Sequence, residues 1–257
     1  MKLTFLGVAS FLSEGFQSNM LLDADNGKTL LLDCGTDIKH SLKAVGREVK
    51  DIDAVYISHL HGDHMGGLEW LGFYSYFITK KKIKLFIHES LLSELWMMLS
   101  PSMSNHKGKY LSIDDYFEIK TFTDSGKISF CFGNCIFQAR KNLHVKGKYQ
   151  NMYSYSLLVD DKNSINTDEA LFYISFDTEA AHIINAKYIF YDCDVMNLSG
   201  VHVNYSDLKK FGKRTRKKMW LYHYTDLSLY KGEYGEMPDE KEDGFAGFVQ
   251  EGQIFEL

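Results

Sequence analysis

Residues 58–70 read SHLHGDHMGGLEW, placing three histidines and an aspartate within six positions, 59–64. His59 and His61 stand two apart at the end of the apolar run IDAVYIS. In extended backbone, residues i and i+2 point to the same side, so two imidazoles there can approach one ion together. Asp63 and His64 follow Gly62, where a glycine permits a sharp turn, and can face a second ion beside the first. A helical site favours histidines four apart, so this spacing fits a loop between a strand and a helix. Histidine with carboxylate and no neighbouring cysteine suits Zn²⁺, Mn²⁺ or Fe²⁺ rather than Ca²⁺ or Mg²⁺.

Four ligands do not fill two metal sites, each of which takes three or four protein ligands and a bridging group. The further candidates are histidines or acids at strand ends that can face the same pocket. His144 follows CIFQARKNL, Asp177 ends LFYISFD and His223 ends MWLYH. His40, inside a helical stretch, and His88, His106 and His182 read as structural or surface residues.

The surrounding chain has the makings of a layered domain. Its 257 residues, 45% hydrophobic, suffice for a sizeable core, and a single domain across 1–257 is expected. A formal net charge of −5 speaks against a protein that coats nucleic acid. The chain has two prolines, Pro101 and Pro238, no Pro/Ser-rich linker, and no apolar run long enough to span a membrane. Residues 3–8 read as a first strand rather than a signal peptide. Cys34, Cys131, Cys135 and Cys193 lack zinc-finger spacing and read as buried free thiols in a reducing cytoplasm.

Strands are expected at 19–23 and 29–33, joined by a turn at DNGK, and at 52–58 and 82–87. Helices are expected at 37–46, 67–78 and 90–99. Short β runs fill 117–160, and apolar strands at 170–177 and 186–195 end in acids. A basic helix at 207–219, a strand at 219–224 and a closing hairpin at 248–257 complete the reading. The pattern is α/β, with two sheets packed inside and helices outside.

The segments TFLGVAS, NMLLDADNGKTLLLDCG, SHLHGDHMGGL, NLHV, SFDT, IFYDCD and YHY together resemble the metallo-β-lactamase fold superfamily. LGVAS departs from the more glycine-rich LGTGS of relatives, in a turn outside the ligand set. Within the superfamily the chain is similar to ribonuclease Z-like phosphodiesterases. In length and motif order it resembles the anti-Pycsar phosphodiesterases of phages and their bacterial relatives. The resemblance implies a four-layer αβ/βα sandwich and two divalent ions, Zn²⁺ first and Mn²⁺ as the alternative. His59, His61 and His144 would hold one ion, Asp63, His64 and His223 the other, and Asp177 would bridge them. Asp33, in the DCG turn, would buttress the ligands. Asp63 would also orient the nucleophile, and His202 would be the proton donor. Asp192 would orient His202; YDCD departs from the family pattern there, leaving Asp194 open for the same role.

The implied activity is that of a metal-dependent phosphoric diester hydrolase acting on cyclic nucleoside monophosphates such as cyclic CMP and cyclic UMP. The implied setting is the cytoplasm, the host's if the chain is phage-encoded, where such an enzyme disarms an immune signal. The same resemblance implies a homodimer, with residues 104–117 as the loop lent to a neighbouring site, and a small nucleotide as substrate. Two alternatives stand beside it: a tRNA 3′-processing endonuclease and a non-catalytic nucleotide sponge. Ribonuclease Z inserts an RNA-gripping arm between its third ligand motif and its bridging aspartate. The corresponding stretch here, between His144 and Asp177, has only 32 residues, much of it strand-like, and no stable nucleic-acid complex is expected. The basic run at 209–218 reads as a solvated helix face before it reads as a phosphate rim.

Overall fold

A computed structural model describes residues 1–124, 128–161, 169–178, 184–196, 199–225 and 238–257. Short apolar runs and the Asn26–Gly27 turn make the first strands, β1 (Lys2–Phe5), β2 (Met20–Asp23) and β3 (Thr29–Leu32), an antiparallel meander. After helix α1 (Ile38–Ala44) the chain switches to parallel pairing through β4 (Ala54–Ile57) and β5 (Ile83–His88). Helices α2 (Gly62–Met65) and α3 (Leu68–Tyr74) connect these two strands. Every residue of β3 and β4 is buried, as expected of strands covered on both faces.

Helix α4 (Glu89–Met103) outruns the expected 90–99 and continues through Pro101. Leu91, Leu95, Leu99 and Met103 recur every four residues and are all buried, so the apolar stripe carries the helix past a proline that sits in its last turn. A small hairpin follows, β6 (Asn105–His106) and β7 (Lys109–Tyr110), then α5 (Ile113–Tyr116) and β8 (Phe117–Phe122), which closes one edge of the first sheet.

The second sheet is built from β9 (Phe130–Phe132), β10 (Cys135–Val145), β11 (Met152–Asp161), β12 (Ala170–Ile174), β13 (Ala186–Asp192), β14 (Met219–Tyr222) and β15 (Gly247–Phe248). Its first half is antiparallel and its second half parallel. Strand β16 (Ile254–Glu256) returns to the first sheet beside β1. The closing hairpin expected at 248–257 is therefore corrected: β15 pairs with β14 in the second sheet and β16 with β1 in the first, so this segment straps the two sheets together.

The basic helix expected at 207–219 is also corrected. It is two short helices, α6 (Tyr205–Leu208) and α7 (Lys213–Arg216), broken at Gly212, whose ψ of 147° is extended. Asn204 starts α6 by accepting a hydrogen bond from the Ser206 amide at 2.9 Å. Of the cysteines, all are free, but Cys131 is exposed, against expectation, because it lies on the outward face of the edge strand β9.

The sheets meet through aromatic rings. Phe5 on β1 contacts Phe190 on β13 and Tyr222 on β14, with centroids 5.3 and 5.4 Å apart. Helices α1, α3 and α4 contribute Ile38, Leu68 and Leu95 to the core shared with the first sheet, and α6 packs Tyr205 and Leu208 with Tyr191 and Leu221. Replacing Phe5 with alanine should remove the main wedge between the sheets. Urea unfolding should show a loss of about 3–5 kcal/mol.

Candidate metal centre

The expected strands at 170–177, 186–195 and 219–224 stop early, at Ile174, Asp192 and Tyr222. Their acids and histidines consequently fall on the turns that leave the sheets, beside the turn that follows β4. His59 and His61 lie in that turn, and extended backbone at His61 (φ −73°, ψ 153°) aims both rings the same way. His59 Nε2 is 3.2 Å from His61 Nδ1, and His144 Nε2 is 2.9 Å from the same His61 nitrogen. His144 is carried in the last turn-ward residues of β10, and Asp177 Oδ2 completes the group at 3.2 Å from His59 Nε2.

A second group forms in the first turn of α2. His64 Nε2 lies 3.3 Å from Asp63 Oδ2 and 3.1 Å from Asp177 Oδ2. His223 Nε2 lies 3.8 Å from Asp63 Oδ2 and 3.5 Å from Asp177 Oδ1. The donor atoms thus form the sets His59–His61–His144–Asp177 and Asp63–His64–His223, with Asp177 reaching both, and a third set, Asp177–His202–His223, overlaps them. Gly62 is not required by backbone geometry, contrary to expectation: a Cβ there would meet only Phe11 Cε2, at 3.7 Å. Glycine is required instead at Gly35, Gly66 and Gly67, where a Cβ would lie 2.2 Å from the Asp63 carbonyl oxygen, 2.5 Å from that of Gly62 and 2.3 Å from that of Gly35.

The outer ring nitrogens of His59, His64 and His144 are anchored. His64 Nδ1 donates to Asp33 Oδ2 at 2.7 Å, His59 Nδ1 lies 3.0 Å from Ser58 Oγ, and His144 Nδ1 donates to the Val201 carbonyl at 3.3 Å. Such outer contacts fix each ring and leave Nε2 for an ion. Asp33 also accepts from the Ser58 amide at 2.8 Å and the Ser58 hydroxyl at 2.7 Å, tying the end of β3 to the residue before His59. Ser58 is the residue that sequence reasoning missed; its small hydroxyl directly before the first histidine is the signal.

Whether these residues fit metal ions is tested by the atoms they leave unpaired. His64 Nε2, Asp177 Oδ1, His202 Nδ1 and both ring nitrogens of His223 are buried without a hydrogen-bond partner. Buried polar groups ordinarily have one, so a cluster of convergent lone pairs fits a cation. Burial holds His59 well below the ordinary histidine pKa and lowers His144 to about 4, keeping both neutral, the form that binds metal. Burial would lower His64 too, but Asp63, Asp177 and Asp33 outweigh it and hold it well above its usual value. Its proton and an ion compete for the same Nε2 lone pair.

Three non-glycine residues of this region have left-handed backbone: Asp33 (φ 61°), Asp177 (φ 43°) and His223 (φ 60°). Each such position costs of order 1–3 kcal/mol and persists where the surroundings impose it, typically at functional sites.

His202 lies at the open side. Its Nδ1 is 3.5 Å from Asp192 Oδ2 and 3.6 Å from Asp177 Oδ1, and the side chain is 13% exposed. Burial lowers its pKa, but Asp177 and Asp192 outweigh this and raise it to about 9. Asp192 is itself held by the Ser175 hydroxyl and by the Thr178 amide at 3.1 Å. Asp194 turns away and accepts from the Met196 amide at 3.0 Å and the Ser199 amide at 2.9 Å, so Asp192 is the carboxylate beside His202. Of the other histidines, His40 is exposed on α1, and His88 is buried, stacked on Tyr155 at 4.2 Å. His106 lies against Phe77 at 4.9 Å, and His182 falls outside the described residues.

Two mixed sheets with helices outside and a histidine–aspartate cluster at the strand ends define a metallo-β-lactamase fold protein whose donor atoms could hold divalent metal. The metallo-β-lactamase fold protein YhfI from Bacillus subtilis superposes with a TM-score of 0.71 at 16% identity, covering 99% of this chain and 98% of that one. Human tRNase Z, short form, superposes with a TM-score of 0.66 at 16% identity, covering 100% and 99%. The family model for anti-Pycsar protein Apyc1 matches residues 1–255, and the chain belongs to that family. It is 29% identical to the anti-Pycsar protein Apyc1 of Paenibacillus harenae over 242 residues, covering 92% of this chain and 95% of that protein. It is likewise 29% identical to that of Bacillus phage vB_BsuM-Goe3 over 252 residues, covering 92% and 94%.

Asp33 generates a prediction. Asp33→Asn keeps the shape but loses the charge that orients His64. Metal affinity, read by competition with a chromophoric chelator, should fall about 10–100-fold.

Proposed function

We propose that this chain is a metal-dependent phosphodiesterase that opens cyclic nucleoside monophosphates, cyclic CMP and cyclic UMP among them, to linear nucleotides. The observation that carries this reading is the pair of donor sets sharing Asp177, with His202 and Asp192 beside them. Membership of the anti-Pycsar family supports the cyclic nucleotide as substrate.

His59, His61, His144 and Asp177 would hold one divalent ion, and Asp63, His64 and His223, with Asp177 shared, a second; Zn²⁺ is the first choice and Mn²⁺ the alternative. Bound there, such ions would lower the pKa of water toward neutrality and neutralise charge on the phosphoryl oxygens. The second oxygen of Asp63 orients the attacking water toward phosphorus. His202 keeps its Nδ1 against Asp192 and presents Nε2 to the leaving ribose oxygen. The Asp192 carboxylate beside Nδ1 favours the protonated imidazole, ready to donate as the phosphorus–oxygen bond breaks.

The tRNA-processing reading is less well supported. The stretch between His144 and Asp177 is occupied by β11 and β12, which pair through Leu157–Ile174 and Val159–Phe172. Among the described residues nothing in it resembles a projecting arm. We extend the proposal to a cytoplasmic homodimer in which the β6–β7 hairpin, with Tyr110 77% exposed, reaches a neighbouring site. No helix among the described residues is long and apolar enough to cross a membrane.

Two outcomes test the chemistry. His59→Ala with His61→Ala should abolish hydrolysis of cyclic CMP and empty the first site by metal analysis; full activity in this double variant would overturn the reading. His202→Ala should lower kcat by about 10²–10⁴-fold while metal content stays at the wild-type level. Loss of metal along with activity would assign His202 to the ligand set instead.

A further inference from the structure

Asp192 ends β13 and is fully buried, and the use His202 can make of it depends on where its carboxylate points. An ionised carboxylate only accepts hydrogen bonds, and a buried one needs its oxygens met. Oδ2 accepts from the Thr178 amide at 3.1 Å and lies 3.5 Å from His202 Nδ1. Oδ1 accepts from the Ser175 hydroxyl, with the Thr178 hydroxyl further off at 3.5 Å. The Thr178 amide alone would leave the carboxylate free to pivot about one oxygen. A charge-assisted bond on the opposite oxygen fixes the plane of the group, and with it the lone pair that Oδ2 presents to His202. Ser175 is itself held from two neighbouring strands. It follows directly on β12, its amide donates to the Phe190 carbonyl on β13 at 2.9 Å, and its carbonyl accepts from the Tyr222 hydroxyl on β14. Tyr222 and Asp192 are register partners, so the three residues form one buried brace across β12, β13 and β14.

His202, by contrast, comes from a loop. That loop is tied to the turn after β13, where the Asp194 amide donates to the Val203 carbonyl at 2.8 Å and the Tyr205 amide donates to the Asp194 carbonyl at 3.1 Å. These backbone bonds bring the ring beside Asp192 without fixing its rotation, and Nδ1 is buried without a hydrogen-bond partner. A carboxylate that does not move is what can settle the ring. We propose that Ser175 is a positioning residue of the phosphodiesterase centre: through Asp192 it holds the His202 imidazole in the orientation from which a proton reaches the leaving oxygen. The inference rests on the functional reading above. The proton passes from His202 Nε2 to the ribose oxygen as its bond to phosphorus breaks, and Ser175 keeps its own hydrogen throughout. A serine that did no more than satisfy a buried acid would contribute to stability and leave proton donation alone.

Ser175→Ala removes the hydroxyl, and Ser175→Cys keeps its size with a weaker donor. In the Zn²⁺-loaded protein, Ser175→Ala should lower kcat for cyclic CMP about tenfold, with KM and zinc content at wild-type values and Ser175→Cys in between. Against bis-p-nitrophenyl phosphate, whose nitrophenolate departs without being protonated, the same variant should lose less than about twofold. A second readout needs no turnover. In nitrogen-edited proton NMR spectra of the Zn²⁺-loaded protein, an imidazole N–H signal that disappears in His202→Gln reports Nδ1–H held against Asp192. Ser175→Ala should broaden that signal away by exchange with water. Where Ser175→Ala does not fold, the same comparisons are read from Ser175→Cys. Equal losses on both substrates, undiminished cleavage of cyclic CMP, or zinc lost along with activity would overturn the positioning role. So would a His202 N–H signal that is absent from the wild type or unchanged in Ser175→Ala. A protein that cleaves neither substrate, yet loses the His202 signal in Ser175→Ala, would leave the hold of Ser175 on His202 standing and overturn the catalytic reading.

Discussion

One carboxylate faces five imidazoles. Asp177, 2% exposed, lies between 3.1 and 3.6 Å from ring nitrogens of His59, His64, His144, His202 and His223. Burial alone would raise its pKa, but His223, His64 and His202 outweigh burial and hold it well below the usual carboxylate range. Removing such a charge from water costs several kcal/mol unless it is surrounded by compensating charge. The surrounding structure is organised around that compensation. Asp177 sits beyond the end of β12 with φ 43°, in a backbone conformation that a side chain adopts only when its environment imposes it.

The compensation comes from both sheets, so the packing between them is also the geometry of the centre. The first sheet delivers Asp33 after β3, His59 and His61 after β4, and Asp63 and His64 from α2. The second delivers His144 from β10, Asp177 after β12 and His223 after β14. The left-handed residues Asp33, Asp177 and His223 each stand where a strand ends and the chain turns into this junction. Close-packed rings, Phe5 against Phe190 and Tyr222, set the spacing of the sheets a short way below. A loss of packing there moves the donor atoms delivered by the two sheets apart.

Asp177 and His223 are legible in the sequence because each is a polar residue closing an apolar run, a pattern that survives errors in where the run ends. Strands read through 177 and 224 stop at Ile174 and Tyr222, yet Asp177 and His223 remain the residues at the junction. Less legible were features that depend on tertiary partners. The strand pair at the C-terminus looks like a hairpin because β15 and β16 are adjacent in sequence; which sheet each joins is decided by open edges at β14 and β1. The basic run offered a continuous helix by composition, but it has no apolar stripe long enough to pin one across Gly212. Asp192 and Asp194 are equivalent on paper, one residue apart. Only the turn after β13 separates them, leaving one beside His202 and the other bound to the Met196 and Ser199 amides.

Charge explains how a chain of net charge −5 suits an anionic substrate. Asp33, Asp63, Asp177 and Asp192 concentrate negative charge in the centre, which divalent metal held there would offset. The attraction for a phosphodiester would then be local to that centre and need not come from the surface. The basic cluster fits this view: Lys209 pairs with Asp243 at 2.8 Å and Lys210 with Asp207 at 2.5 Å, so part of its charge is met within the protein. A nucleic acid, whose binding draws on many unpaired cations along one face, finds less here than a single small phosphate does.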